Sequence, residues 1–262
     1  MSILDKIIRV KKEEVKEFKR KNEPGLLESQ ARIIPAPPSF YDALKKTGPA
    51  LICEFKRKSP SKGILNENAD IQSVITSYTE AGASAVSILT DSHFQGSSAD
   101  LKAAASFTTI PLLRKDFIID KVQIAEAKIL GASAILLIAT VLSAKEVEIF
   151  TRYAIDLDLE VLLEIHNERE LDHISGLNRI VGINNRDLST FTVDLEHSLK
   201  LSRKLPEGVV KVAESGIGSP ETVKMLYNSG FNAFLIGEKF MRSANPGLES
   251  RQFMEEVKLL LS

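Results

Sequence analysis

Short apolar runs of four or five residues alternate along this chain with longer stretches whose apolar positions recur every three or four residues. The runs fall at 51–55, 85–89, 110–113, 134–138, 160–163, 180–183, 209–213 and 233–236, and each is dominated by Val, Ile, Leu and Ala. Runs of this length and composition predict strands buried on both faces. The intervening stretches at 71–81, 121–130, 144–155, 194–204 and 220–229 predict helices, and a last one at 247–261 follows the eighth run. Strands that alternate with helices demand a parallel sheet with helical crossovers.

Three junctions look alike: Gly82-Ala83-Ser84-Ala85, Gly131-Ala132-Ser133-Ala134 and Gly230-Phe231-Asn232-Ala233. In each, a glycine is placed to end a helix in the left-handed conformation before the next strand. Eight such units is the number that closes a barrel, and no Pro-, Gly- or Ser-rich linker interrupts them. The expected architecture is α/β, a single (β/α)8 TIM barrel over residues 49–262, preceded by an N-terminal helical extension over residues 1–48. In that extension, Ile3, Leu4, Ile7, Ile8, Val15 and Phe18 recur at helical spacing over residues 3–20 among Lys and Glu. Pro24-Gly25 then ends the region, Pro35, Pro37 and Pro38 make an extended connector, and Ser39 caps a short helix through Lys46. The barrel's own helices cover its sides, so the apolar face of the extension is expected to lie on an end, partly over the mouth.

Composition narrows the function. Lys plus Arg is 34 against Asp plus Glu 35, a net charge of −1, which leaves no global field for nucleic acid or an anionic membrane. No window approaches the ~20 apolar residues of a membrane span. The single cysteine, Cys53, rules out an internal disulfide and a cysteine metal cluster. These features predict a soluble cytoplasmic protein.

Polar residues gather at one end of the predicted strands. By the period-two alternation of a strand, Glu54 and Lys56 share a face with Ile52, Lys115 with Leu113, Glu164 with Leu162, and Asn184 and Arg186 with Gly182. The seventh run ends in Glu214-Ser215-Gly216 and the eighth in Gly237-Glu238. Any one of these is explained by a solvated rim or a structural ion pair. Together, at the end where barrels carry their chemistry, they form an acid/base constellation around one cavity. Ser215-Gly216-Ile217-Gly218-Ser219-Pro220 and Gly237 stand after the last two strands, where glycines let backbone N–H groups approach a phosphate. A lysine among other cations is expected to move toward neutrality, and a glutamate enclosed by the rim, Glu164, to move upward. Of His93, His166, His173 and His197, only His166 adjoins a site residue, and it is assigned no catalytic role.

The stretch Leu51-Ile52-Cys53-Glu54-Phe55-Lys56-Arg57-Lys58-Ser59-Pro60-Ser61-Lys62-Gly63 resembles the first-strand signature of indole-3-glycerol-phosphate synthase, a barrel enzyme of tryptophan biosynthesis. Pro111 to Phe117, Leu163-Glu164-Ile165-His166, Gly182 to Leu188 and Ala213 to Ile217 resemble its later strand-end motifs. The resemblance implies a lyase that closes the ring of 1-(2-carboxyphenylamino)-1-deoxyribulose 5-phosphate to indole-3-glycerol phosphate, releasing carbon dioxide and water. It implies no metal, no organic cofactor and no macromolecular partner, only a phosphorylated small molecule met by a monomer. Carried over by position, Lys115 is the general acid and Glu164 serves the later proton transfers and dehydration. Glu54 and Asn184 orient these groups. Lys56 and Arg186 hold substrate anions, with the carboxylate and phosphate not yet apportioned between them.

The same resemblance gives Ser59 to the substrate, and Ser215, Gly216, Gly237 and Glu238 to its phosphate, with Glu214 near the sugar hydroxyls. Phe94, Phe117 and Leu136 would enclose the anthranilate ring. A serine sometimes stands at position 238 in the family, and a carboxylate there repels phosphate, so the Glu238 side chain is expected to turn away while its N–H donates. The rival readings are another phosphate-binding barrel enzyme, such as phosphoribosylanthranilate isomerase or the tryptophan synthase α subunit, and a non-catalytic barrel that binds a phosphosugar. None of these accounts for Glu54 and Lys56 together with Lys115 and Glu164.

Overall fold

The computed structural model describes residues 3–59, 62–187 and 192–262. Eight strands, β1 (Ala50–Phe55), β2 (Ala85–Leu89), β3 (Leu112–Lys115), β4 (Ala134–Ile138), β5 (Glu160–Ile165), β6 (Ile180–Asn184), β7 (Val210–Glu214) and β8 (Ala233–Ile236), close into one barrel. All neighbours pair in parallel, and the ring is sealed by β1 against β8, from Ala50 opposite Ala233 to Cys53 opposite Ile236. Each strand falls on a predicted run, but four continue one or two residues further, through Lys115, Glu164 and Ile165, Asn184, and Glu214. Ladder partners hold these ends, Leu89 with Lys115, Ile138 with Glu164, and Asn184 with Glu214. β3 begins two residues later than its apolar run because Pro111 has no N–H to donate.

The alternation separates two cores. Ile52, Ala85, Leu113, Leu136, Leu162, Val212 and Leu235 point inward and fill the barrel. Cys53, Val86, Ile135, Leu163, Val181 and Phe234 point outward and pack beneath the helices. Those helices are α4 (Ile71–Glu80), α5 (Ser98–Ala104), α6 (Lys121–Ile129), α7 (Ala144–Asp156), α8 (Leu195–Ser202), α9 (Pro220–Asn228), α10 (Glu238–Met241) and α11 (Pro246–Leu261). Between β5 and β6 only a 3-10 turn, Glu168–His173, is present. Gly82, Gly131 and Gly230 have φ of 90°, 89° and 92°, the left-handed caps expected at the three matching junctions.

The extension holds three helices, α1 (Ile3–Lys21), α2 (Pro24–Arg32) and α3 (Phe40–Leu44). α1 meets the loops at the C-terminal ends of the strands: Lys11 pairs with Asp91 beyond β2 and Asp116 beyond β3, and Lys19 with Asp120 ahead of α6. α2 packs against α6 on the outside. α3 fills the opposite end, where Phe40, Tyr41 and Leu44 join the inward-facing cluster. There the Tyr41 N–H donates to Glu160 at 2.6 Å and the Arg179 guanidinium lies 3.6 Å from the Tyr41 ring centre.

Three expectations for this region are corrected. Pro24-Gly25 opens a helix instead of ending one, because Pro at the first helical position gives up an N–H that had no partner anyway. The helix capped by Ser39 stops at Leu44, short of Lys46. Within α1, Ile3 is exposed, and the buried stripe is Ile7, Lys11 and Val15, with a lysine at its centre. Among the described residues no helix is long and apolar enough to cross a membrane.

Candidate active site

At the C-terminal end of the barrel, a cavity of about 370 Å³ opens above the inward-facing core. All fifteen residues singled out from the sequence line it: Glu54, Lys56, Ser59, Phe94, Lys115, Phe117, Leu136, Glu164, Asn184, Arg186, Glu214, Ser215, Gly216, Gly237 and Glu238. The alternation that turns Ile52, Leu113, Leu162 and Val212 into the barrel turns Glu54, Lys115, Glu164 and Glu214 into its mouth two residues on.

The Lys115 ammonium lies 3.2 Å from Glu164 Oε2 and 3.2 Å from Glu214 Oε2. Lys56 Nζ lies 2.6 Å from Glu54 Oε1, the same-face pairing that the first strand's alternation predicts. Two glycines make room for the carboxylates. A Cβ at Gly182 would run into Glu214, and one at Gly237 would sit 2.7 Å from the Glu54 Cβ. Glycine at these positions is a requirement of close approach.

One wall is aromatic, with the Phe94 and Phe117 rings 6.5 Å apart between centres. Opposite it, Ser215 and Gly216 are consecutive residues with positive φ, 68° and 72°, and the Ser215 carbonyl is fixed by the Asn185 amide at 2.6 Å. The Glu238 side chain lies between two guanidinium groups, 3.4 Å from Arg186 Nη2 and 3.7 Å from Arg242 Nη1. It therefore remains at the cavity wall instead of turning away, because both arginines attract it.

A family model described as indole-3-glycerol phosphate synthase matches residues 4–253. The chain belongs to the indole-3-glycerol phosphate synthase family. A protein of that name from Bacteroides thetaiotaomicron is 44% identical across 98% of this chain and 99% of its own length. Another from Dechloromonas aromatica is 42% identical across 94% and 97%. Among solved structures, KGPDC from Streptococcus mutans aligns with a TM-score of 0.63 at 15% identity, over 82% of this chain and all of that one. A mutant tryptophan synthase alpha-subunit from Pyrococcus furiosus aligns at 0.59 and 14% identity, over 80% and 97%. At those identities the likeness is one of fold, the TIM barrel.

Indole-3-glycerol phosphate synthases are decarboxylating lyases of tryptophan biosynthesis, and the protonation pattern of this site differs from the sequence-based expectation. Burial alone would lower the Lys115 pKa, but the carboxylates of Glu164, Glu214 and Glu54 outweigh it and hold the ammonium well above the ordinary lysine range. The expected move toward neutrality is reversed because anions, not cations, are its nearest neighbours. Glu164 also moves the other way: burial would raise it, yet Lys115 and then His166 keep it well below the usual carboxylate range. The carboxyl that rises is Glu214. Burial pushes it up against the pull of Lys115, ionised Glu164 adds to the push, and it reaches about 8. Two carboxylates sharing one ammonium cannot both be fully charged.

The sequence reading missed Asp116, Lys239 and Arg242 in the cavity wall of this indole-3-glycerol phosphate synthase fold. Arg242, the C-cap of α10, lies one helical turn after Glu238, and that i, i+4 acid–base spacing was the available signal. Asp116 was quoted only as part of its motif; the i, i+2 spacing to Arg114 was the available local signal, while its pairing with Lys11 is long-range and leaves no pattern.

Proposed function

We propose that this chain catalyses ring closure of 1-(2-carboxyphenylamino)-1-deoxyribulose 5-phosphate to indole-3-glycerol phosphate, with Lys115 as the acid. The observation that carries the reading is Lys115 held 3.2 Å from both Glu164 and Glu214 at the bottom of a cavity with an aromatic wall and a glycine-rich one. Attack of the ring carbon on the ketone pushes an electron pair onto the ketone oxygen, and that alkoxide is far more basic than a lysine. A Lys115 that rests protonated is therefore suited to meet the developing charge and give up its proton late. Glu214, which carries a proton at neutral pH, stands 3.2 Å away and can restore it.

Loss of carbon dioxide then restores the aromatic ring. Dehydration next removes the hydroxyl of the former ketone carbon, which leaves as water with a proton from the recharged Lys115, and a proton from the adjacent carbon beside the nitrogen, for which Glu164, held ionised, is the base. Glu54 pins Lys56, and Glu238 faces the Arg186 guanidinium at 3.4 Å, so the two anion-holding side chains are each oriented by a carboxylate, while Asn184 Oδ1 accepts the Arg186 backbone N–H at 3.0 Å. Lys56 is assigned to the substrate carboxylate and Arg186, beside Glu238 and the Gly216 turn, to the phosphate end. Phe94, Phe117 and Leu136 receive the anthranilate ring. Glu54, Ser59 and Asn184 position substrate, while Ser215, Gly216, Gly237 and the Glu238 N–H take the phosphate. The lone cysteine, Cys53, is free and buried, in keeping with a cytoplasmic setting.

Purified protein supplied with the carboxyphenylamino substrate should generate indole fluorescence, and the Lys115→Ala variant should do so at least about a hundredfold more slowly. A wild-type protein that binds the substrate without producing the indole signal would overturn the assignment in favour of a binding barrel.

A further inference from the structure

His166 follows β5 two residues beyond Glu164 and shares its face. Its Nε2 is 3.3 Å from Glu164 Oε1, while Lys115 approaches the other oxygen, Oε2, at 3.2 Å. The imidazole contact is an ion pair rather than an aligned hydrogen bond. On the far side, Nδ1 is 3.1 Å from Thr140 Oγ1 and 3.5 Å from Glu170 Oε2. Glu170 is held by three donors, the His166 N–H at 2.6 Å, the Thr140 hydroxyl at 2.8 Å and the Asn167 amide at 2.8 Å.

These contacts fix the protons on the ring. The Thr140 hydroxyl spends its only proton on Glu170, so toward Nδ1 it can only accept, and Nδ1 must carry a hydrogen. Nε2 faces a carboxylate, and a lone pair turned to a buried anion would be repulsive. It too must carry a hydrogen. The ring is an imidazolium wedged between Glu164 and Glu170, with its side chain only 10% exposed.

Resting on the proposed function, we infer that His166 is a positioning residue: its imidazolium fixes one oxygen of Glu164 and keeps that carboxylate ionised, ready to take the substrate proton. Burial opposes the charge, and Glu164 and Glu170 restore it, raising the histidine pKa to about 10. The charged and titratable groups around it come from several elements. Lys115 stands across Glu164, and Glu214 lies beyond Lys115. The cavity behind the imidazole is lined by Asp5 of α1, Arg186, Asp187, Asp194 and His197, and His197 Nε2 meets the His166 carbonyl at 2.8 Å.

The test uses His166→Gln, which keeps a polar side chain and removes the charge, and His166→Lys, which returns a cation. Removing a neighbouring cation moves a carboxylate by about 1–3 pH units. The acid limb of the kcat profile should therefore rise by at least about one unit in His166→Gln. At neutral pH kcat should fall about tenfold, a fraction of the ~10²–10⁴ that acid–base catalysis supplies, with KM within about twofold. His166→Lys should bring the limb back toward wild type, which a packing role would not do. An unshifted limb in a folded His166→Gln protein overturns the inference.

Nitrogen NMR of wild-type histidine side chains, without substrate, reads the assignment independently of folding defects and of turnover. Two protonated ring nitrogens on His166 at pH 7.5 are expected, and a neutral ring overturns it. A wild-type protein that makes no indole product sinks the proposed function, and the NMR result then still decides the charge on His166.

Discussion

Lys11 of α1 lies 2.9 Å from Asp116 Oδ1, the same oxygen that accepts the Phe117 N–H at 2.8 Å. The ammonium reaches Asp91 as well, also at 2.9 Å, and Asp91 caps the turn that presents Phe94 by accepting the His93 N–H. One lysine of the extension thus ties together the loops carrying both aromatic rings. It does so from outside the cavity, which α1 does not line. Burial would weaken the Lys11 charge, yet Asp116, Asp91 and Glu14 more than offset it.

Lys11→Met should cost about 3–5 kcal/mol, the scale for removing one partner of a buried pair, because Asp91 loses its cation and Asp116 keeps only Arg114. Thermal unfolding should show a drop of several degrees. Steady-state kinetics should show a higher KM, since the aromatic wall loosens. An unchanged melting temperature would mean that water or Arg114 takes over the role.

Deleting residues 1–30 removes α1 and most of α2 but leaves α3 in the barrel floor. The shortened protein should stay soluble, melt earlier than Lys11→Met and bind substrate more weakly. Full kcat/KM after truncation would reduce the extension to an outer prop.

Lys115→Ala should lower kcat about a hundredfold or more, the usual share of a general acid, with a modest effect on KM. Near-normal kcat would move the acid role to Lys56.

Glu214 gives a pH signature. Its carboxyl is raised in the folded state, so the associated stability is fully present below about pH 4.5, declines as pH rises and is gone above about 8. His166, also raised, loses its contribution between about 6.5 and 10. The melting temperature of Glu214→Gln relative to wild type should therefore improve steadily from pH 5 to 8. A gap that stays constant over this range would show that Glu214 is ionised in the native protein.

Gly216→Val meets two obstacles at once. φ is 72°, a region hostile to β-branched residues, and the new Cβ would collide with Val193. The turn must shift, so KM should rise by roughly tenfold or more, in line with about 1.5–3 kcal/mol for hydrogen bonds to a charged group. Wild-type KM would remove this turn from the phosphate site.

What could be read from sequence was whatever the strand period controls. Once Ile52 or Leu162 is placed inside the barrel, Glu54 or Glu164 must follow onto the same face, and so the strand-borne charges of the mouth were legible, whereas loop residues such as Ser59 and Phe94 came only from the family resemblance and Lys239 and Arg242 were missed. Protonation was not. Whether Lys115 gains or loses its proton depends on which charges lie across the barrel, and Glu214 comes from a strand almost a hundred residues away. Lys11 was not singled out for the same reason, its partners Asp91 and Asp116 lying in two loops distant in the chain. His166 was set aside on strand parity, although it shares the face of Glu164; Glu170 stands only four residues on, but nothing local shows that Thr140, from just beyond β4, closes in behind the ring.

Glu54 lies on the first strand and the glycine that makes room for it, Gly237, lies just past the last, so this corner of the mouth straddles the place where the chain's two ends meet. β1 and β8 are the most distant partners in the sequence, and pairing so non-local is the kind that closes slowly. A refolding intermediate with β3 through β7 already paired would hold the Lys115 cluster while the corner of Glu54, Lys56 and Gly237 was still open. Regained turnover then becomes a clock for the joining of head to tail, whatever the order in which the other strands assemble. A circular permutant with its break moved to another loop would shift that final event elsewhere in the ring while leaving the same residues in the mouth.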